Sequence, residues 1–480
     1  LLHWYYAQRI SITLMNTLHL RRLERLGFWV WIVIVFGVLL ALLVLATAAT
    51  VRHAMLKGAS LSPGQSDLVM AIADYPGRAK AAVMEIAGAA SGKTYALAFD
   101  RTDVETPAWQ RKFPAPADPG YVLLSGVDPQ GRQSSVRLIR IADGREMAHW
   151  TPDWADILAR STKSPFAPGI TRQTVRAFHP LLLADGDIIF NTSGAMVRQG
   201  LCGGKPVWVL DEVLHHSNQR DTDGNIWTPS VGGGGFDDNP FLAARVRDDA
   251  IARISPDGRL LERRSFARIM RDNGLEALLL GTQGMQLNID PIHINEIAIA
   301  PNSGKFWQQG DLLISARHLS TLFLYRPSTG RIVWHQTGPW MNQHAAAFVD
   351  DHSISVLNNN IIAAAPLDQP FVRAGDTNQF MVFDFRTGAV TRPFKLLIEA
   401  ARPVTMTEGR ARLLPDGGLF FEESNSGRLL RFTRDGLMWS FVNDVADDRI
   451  GGLSWSRYIT AENAEPTLHA IAARNCAAGG

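Results

Sequence analysis

Leu322-Phe-Leu-Tyr-Arg-Pro-Ser-Thr-Gly-Arg-Ile-Val-Trp334 decides the fold. Two apolar runs flank a Pro-Ser-Thr-Gly turn, the pattern of two short paired strands. Upstream lie Asp290-Pro-Ile-His-Ile-Asn-Glu296 and Gly310-Asp-Leu-Leu-Ile-Ser-Ala-Arg317, so the whole unit has room for four strands. The unit recurs, with copies beginning near Leu97, His179, His215, His293, His344 and Glu408 and turns such as Ala184-Asp-Gly186, Pro256-Asp-Gly258 and Pro415-Asp-Gly417. A four-stranded sheet cannot bury both faces alone, and radial stacking of such sheets solves that problem. The sequence therefore predicts an all-β fold, a six-bladed β-propeller over residues 93–460. The weakly patterned stretch 97–178 leaves space for a seventh blade. Inserts at 229–250 and 262–290 read as loops, the second with a helix-like Phe266–Leu280.

Ahead of the propeller, the run between Arg25 and Arg52 carries no charge and is centred on Phe28-Trp-Val-Trp-Ile-Val-Ile-Val-Phe36. It is long enough to cross a hydrocarbon core of ~30 Å as a helix. One retained N-terminal transmembrane helix is expected over 27–51, with a cleaved signal peptide ending at Ala46-Thr-Ala48 as the rival reading. Arg9, Arg21, Arg22 and Arg25 precede the span, against Arg52 and Lys57 after it. The positive-inside rule then gives a single-pass inner-membrane protein with its N-terminus in the cytoplasm and the propeller in the periplasm. Residues 1–26 read as a cytoplasmic or interfacial segment, 52–92 as a linker and 461–480 as a C-terminal tail. The net charge of +2 gives no field for nucleic acid. Cys202 and Cys476 make no metal or redox motif, and a bridge between them would need an oxidising compartment.

In a propeller the innermost strands line an axial channel. Four units here open on histidine: His179, His215-His216, His293 and His344. Their imidazoles are expected to converge on that axis. His293 and Asn295, two apart, are expected on one side of a strand. Arg317 leaves its strand near the same mouth, and its fork of donors suits a tetrahedral oxyanion better than lysine would. Convergent histidines could also hold zinc or copper, but Arg317 beside them favours an anion over a cation. No metal and no cofactor is expected.

The ordered set Asp290-x-x-His293-x-Asn295, Asp311-Leu-Leu-Ile-Ser-x-Arg317, Thr329-Gly-x-Ile-x-Trp334 and Gln343-His344 resembles the bacterial arylsulfotransferases. The clear match spans roughly 211–360, with weaker similarity to about 445. The resemblance implies a six-bladed propeller that moves a sulfuryl group from an aryl sulfate to a phenol, without a nucleotide donor, by a ping-pong route through a sulfohistidine. It makes His344 the nucleophile, His293 and Asn295 the sulfate-binding pair and Arg317 the neutralising cation. A further sulfate-site histidine corresponds to His215 or His216.

The chain departs from the family in three ways. Residues 52–92 are too short for the family's β-rich N-terminal domain, a membrane anchor stands in place of a soluble export signal, and the short-range disulfide has no counterpart. These departures bear on dimerisation and activity. They motivate a second reading: a non-catalytic propeller serving as accessory or scaffold subunit of an integral membrane protein complex.

Overall fold

The computed structural model describes residues 27–44, 46, 98–100, 109–111, 118–163, 170–192, 194–282, 287–363, 372–446 and 449–474. The segment 1–26 and the linker 52–92 lie outside them. Gly27–Val44 is one α-helix of mean hydropathy 2.8, long and apolar enough to cross a membrane. It belongs to a unit separate from the one that holds the propeller, and each is described by itself.

Six four-stranded antiparallel units make the propeller, one of them carrying a fifth strand. Numbered in chain order, blade I holds Tyr121–Val127, Ser134–Arg140 and Glu146–Trp150, and blade II opens on Phe178–Leu182. Blade III opens on Gln219–Arg220, blade IV on Ile294–Ile299, blade V on His344–Phe348 and blade VI on Arg410–Leu413. The opening strands of blades III to VI neighbour one another in turn, and in a propeller the innermost strands line the axis.

The run Leu312–Ala316 shows why such strands read as continuously apolar. Leu312 and Ile314 pack in the cluster shared with blade III, while Leu313 between them packs in the cluster shared with blade V. Successive side chains of a strand point to opposite faces, and in a stacked blade both faces are buried. Each of the six blade junctions has its own cluster of this kind.

The first unit does not open near Leu97. Blade I takes its innermost strand, Arg457–Ile459, from the far end of the chain, pairing with Tyr121–Leu123. Ala98–Asp100 pairs with Arg449–Gly451, and Trp109–Arg111 adds a fifth strand to blade VI. Joining chain ends in shared sheets closes the ring and leaves no edge between last and first blades. No seventh blade forms among the described residues.

The predicted helix at 266–280 is two helices, Phe266–Asp272 and Glu276–Leu280, separated at Asn273 and Gly274. They pack on blades III and IV. The C-terminal tail contains the helix Ala461–Ala473, whose Ala464 is buried between blades I and II. Cys202 is disulfide-bonded. Cys476, the other cysteine of the sequence, lies outside the described residues.

The chain enters each innermost strand through a residue of positive φ: Trp455, His179, His216, His293, Ala345 and Gly409 for blades I to VI. This left-handed turn, followed by a bulge in blades II, IV and V, tips the side chains at the strand head towards the axis. Histidine tolerates this region better than most residues. At Gly409 a side chain has no room, since a Cβ would lie 2.5 Å from Thr405 Cγ2 and 2.8 Å from Leu357 Cδ2.

Candidate active site

The histidines that open the units meet around Trp455, which arrives with the closing strand. Its indole stacks on His179 at 4.5 Å between ring centroids and lies 5.8 Å from His216 and 6.4 Å from His344. His216 in turn sits 5.1 Å from His293. Hydrogen-bond partners fix the tautomer of each ring, because carbonyls only accept and guanidinium groups only donate.

His344 is fully buried. The side-chain nitrogen of Asn359 donates to Thr405 O at 3.0 Å and to Glu408 O at 2.8 Å, so its Oδ1 is an acceptor. That oxygen lies 2.8 Å from His344 Nδ1, which must therefore carry the proton. Nε2 keeps its lone pair and has no partner. Burial, with the charge of Arg317 nearby, pushes the His344 pKa well below 6.5. The ring stays neutral and its free nitrogen stays nucleophilic.

The same reasoning orders the pair before blade III. His215 Nε2 faces Ser230 O at 3.3 Å and carries a proton, so its Nδ1 accepts from His216 Nδ1 at 2.8 Å. His216 then presents a bare Nε2 among the other rings, while His215 stands behind it. At His179, Nδ1 accepts from Arg410 at 3.2 Å, leaving Nε2–H buried without a partner. Burial pushes the pKa of all three histidines well below 6.5.

His293 Nδ1 is 2.6 Å from Asp290 Oδ2. Burial opposes charge on this carboxylate, but His293, Arg247 and His318 together hold it below the ordinary range. Arg317 donates to His318 Nε2 at 2.8 Å, and His318 Nδ1 donates to Asp290 O at 2.6 Å. Burial and the neighbouring His293 push His318 down to about 4. Asp290, His293 and His318 bring ligand-type atoms within 4.8 Å of one another. Both nitrogens of His318 are already committed, and a cation there would meet Arg317. The guanidinium itself is half-buried, with its Nε lacking a partner.

Asn295 has a different place. Its Nδ2 donates to Gln343 O at 2.7 Å, fixing the peptide just before His344. Gln343 is anchored in turn, its Nε2 donating to Ser315 Oγ at 3.0 Å and to the carbonyls of Ala316 and Thr321. The geometry suits Asn295 to positioning His344 as much as to touching an anion. Asp249, from blade III, accepts from Ile294 N at 2.6 Å and lies 2.8 Å from Arg247 Nε as an ion pair without hydrogen-bond alignment. It supports the turn that carries His293.

Sequence reasoning missed Trp455, Asn359 and Asp249. Asn359 had a visible signal, the run Asn358-Asn-Asn360 directly after an apolar strand. Trp455 and Asp249 had none, because their role depends on which blades adjoin.

Residues 179–444 match the family model described as Arylsulfotransferase (ASST). No curated protein matches the chain. Among solved structures, a Bacteroides caccae protein of unknown function is 13% identical over 71% of this chain and 99% of its own, with a TM-score of 0.43. Virginiamycin B lyase from Staphylococcus aureus is 12% identical over 72% of this chain and 98% of its own, with a TM-score of 0.35. TolB from Acinetobacter baumannii is 11% identical over 71% of this chain and 66% of its own, with a TM-score of 0.38.

Proposed function

Because this chain belongs to the arylsulfotransferase (ASST) family, we propose that it moves a sulfuryl group from an aryl sulfate to a phenolic acceptor through a sulfohistidine on His344. The observation that carries this reading is the orientation of His344, with Nδ1–H held by Asn359 and Nε2 bare and unpartnered. In the first half-reaction Nε2 attacks sulfur, the S–O bond to the aryl group breaks, and the phenolate leaves with the bonding pair. In the second, the acceptor oxygen attacks the same sulfur and the N–S bond breaks, returning its pair to Nε2. The acceptor's proton passes to the bare Nε2 of His216. Arg317, His293 and the free Nε2–H of His179 bear on the sulfuryl oxygens as charge shifts in the transition state. Asn295 keeps the Gln343–His344 peptide in place.

On this reading Gly27–Val44 serves as the anchor, and the arginine bias before it supports a periplasmic propeller. A disulfide at Cys202 fits that oxidising compartment.

The test incubates the full chain, in mild detergent, with a chromogenic aryl sulfate and a phenol. Phenolate release and sulfation of His344, detected by peptide mass, are expected. Undiminished turnover in His344→Ala would overturn the proposal.

A further inference from the structure

Below the histidines, the innermost strands carry a second polar layer, which meets the sulfuryl site only where Arg410 donates to His179 Nδ1. Arg410 and Arg412 come from blade VI, Arg457 from the closing strand of blade I and Glu296 from blade IV. Arg410 is 4% exposed, and the Arg412 side chain is 17% exposed. Arg412 lies 3.4 Å from Glu296 Oε1, which also accepts from Gln219 at 3.2 Å. Arg457 spends its donors on neutral carbonyls, Pro180 O at 2.6 Å and Asn218 O at 2.8 Å, and Arg412 also donates to Ala345 O. Three guanidinium groups thus meet Glu296, 3 − 1 = +2, while the buried Glu422, register partner of Arg410, is taken up by Trp455 N, Ser456 N and Ser424 Oγ, and His179 beside them is neutral. Buried charges are ordinarily paired.

The pKa directions agree with the imbalance. Burial pushes Arg412 down to about 10, and burial with the Arg410 charge pushes Arg457 well down. Arginine keeps its proton regardless; the direction registers burial first, with the neighbouring guanidinium charge adding to it and Glu296 opposing it.

Of the three arginines, Arg412 opens to the side of the propeller away from the histidines. His344 starts its strand, and Ala347 and Phe348 end it. These trailing residues, with Arg412 and Leu414, line a cavity of about 1040 Å³. Arg392, Lys395, Arg412 and Arg434 are among its lining residues, and no acid is.

We propose that Arg410, Arg412 and Arg457 form an axial binding site for a small oxyanion dianion, distinct from the sulfuryl site and filled through this cavity. Sulfate and phosphate share the required chemistry. A free dianion would neutralise the layer and join the closing strand to blades II and VI.

The experiment measures thermal unfolding and calorimetric binding of the full chain, in mild detergent, with inorganic sulfate, inorganic phosphate and chloride at matched ionic strength. Saturable binding of a dianion, with a raised Tm and no comparable effect of chloride, is expected. Comparing sulfate with phosphate identifies which anion the site prefers. Arg410→Gln and Arg412→Gln should each weaken binding roughly tenfold or more. Glu296→Gln, which raises the local charge to +3, should tighten it, a gain that misfolding cannot imitate. His344→Ala should leave it unchanged. Loss of binding in His344→Ala with retention in the arginine variants would place the anion at the sulfuryl site and overturn the proposal. So would chloride acting as well as sulfate.

Discussion

The hydroxyl of Tyr458 donates to Asp118 Oδ1 at 2.6 Å, across 340 positions of the chain. Asp118 Oδ1 also accepts from Gly120 N at 2.9 Å, and its Oδ2 accepts from the Trp439 indole at 3.0 Å. One carboxylate thus joins the strand that closes the ring to blade I and blade VI.

Removing it should open the ring. Asp118→Ala leaves the buried Gly120 N–H and Trp439 indole without their acceptor and takes a carboxylate from 3.7 Å beside the buried Arg431, and should cost roughly 3 kcal/mol or more. Tyr458→Phe, which removes one donor from the same carboxylate, should cost only about 1 kcal/mol. Urea unfolding of both variants checks the order. Equal costs would mean that the carboxylate does not hold the closure.

Asn359 sets which nitrogen of His344 is free. Asn359→Ala should lower kcat by roughly 10- to 100-fold with little change in KM, because the nucleophilic tautomer is no longer enforced. Steady-state kinetics with an aryl sulfate separates this from a binding defect, which would move KM instead.

Arg317 offers a planar fork, with one arm already on His318. Arg317→Lys keeps the charge but not the fork, and should lose less rate than Arg317→Met, which should fall by roughly 10²–10³-fold. If both variants lose the same activity, charge contributes nothing and geometry everything.

Acid should destabilise this protein, and the sign follows from the buried histidines. His179, His215, His216 and His344 have folded pKa values well below 6.5. Their contribution is present above the unfolded value and is lost as pH falls, by up to ~1.4 kcal/mol per pH unit for each. Asp249 opposes them. Burial raises it to about 6 from an ordinary 3.8, so its contribution grows as pH falls from about 6 to 4. Asp249→Asn should therefore steepen the loss of stability between pH 6 and 5, measured by urea unfolding at each pH. On the same grounds, the acid limb of kcat/KM set by His344 should lie well below pH 6.5. A limb at 6.5 would point to an exposed histidine instead.

The fold was legible because its period is local. A strand such as Leu312–Ala316 must be apolar on both faces wherever it stacks between two sheets, and the turns between strands need Asp-Gly or Thr-Gly whatever the partner. The histidines at the head of each unit were legible for the same reason, since a repeated position in a radial fold is a repeated place on the axis. Cys202 could be seen but not paired, because bond partners are not written in spacing.

The rest needed the tertiary structure. That Trp455 would fill the centre of the histidines follows from the closing strand joining blade I, a pairing between residues more than 300 positions apart with no local signature. Which of His215 and His216 faces the axis depends on the left-handed turn at His216, and the unprotonated nitrogen of His344 depends on Asn359 being oriented by two backbone carbonyls. The sequence by itself determined the residue types at the axis, through repetition. Only the closed ring decided their tautomers and the uneven charge of the arginine layer, because burial and hydrogen-bond direction come from neighbours the chain meets on folding.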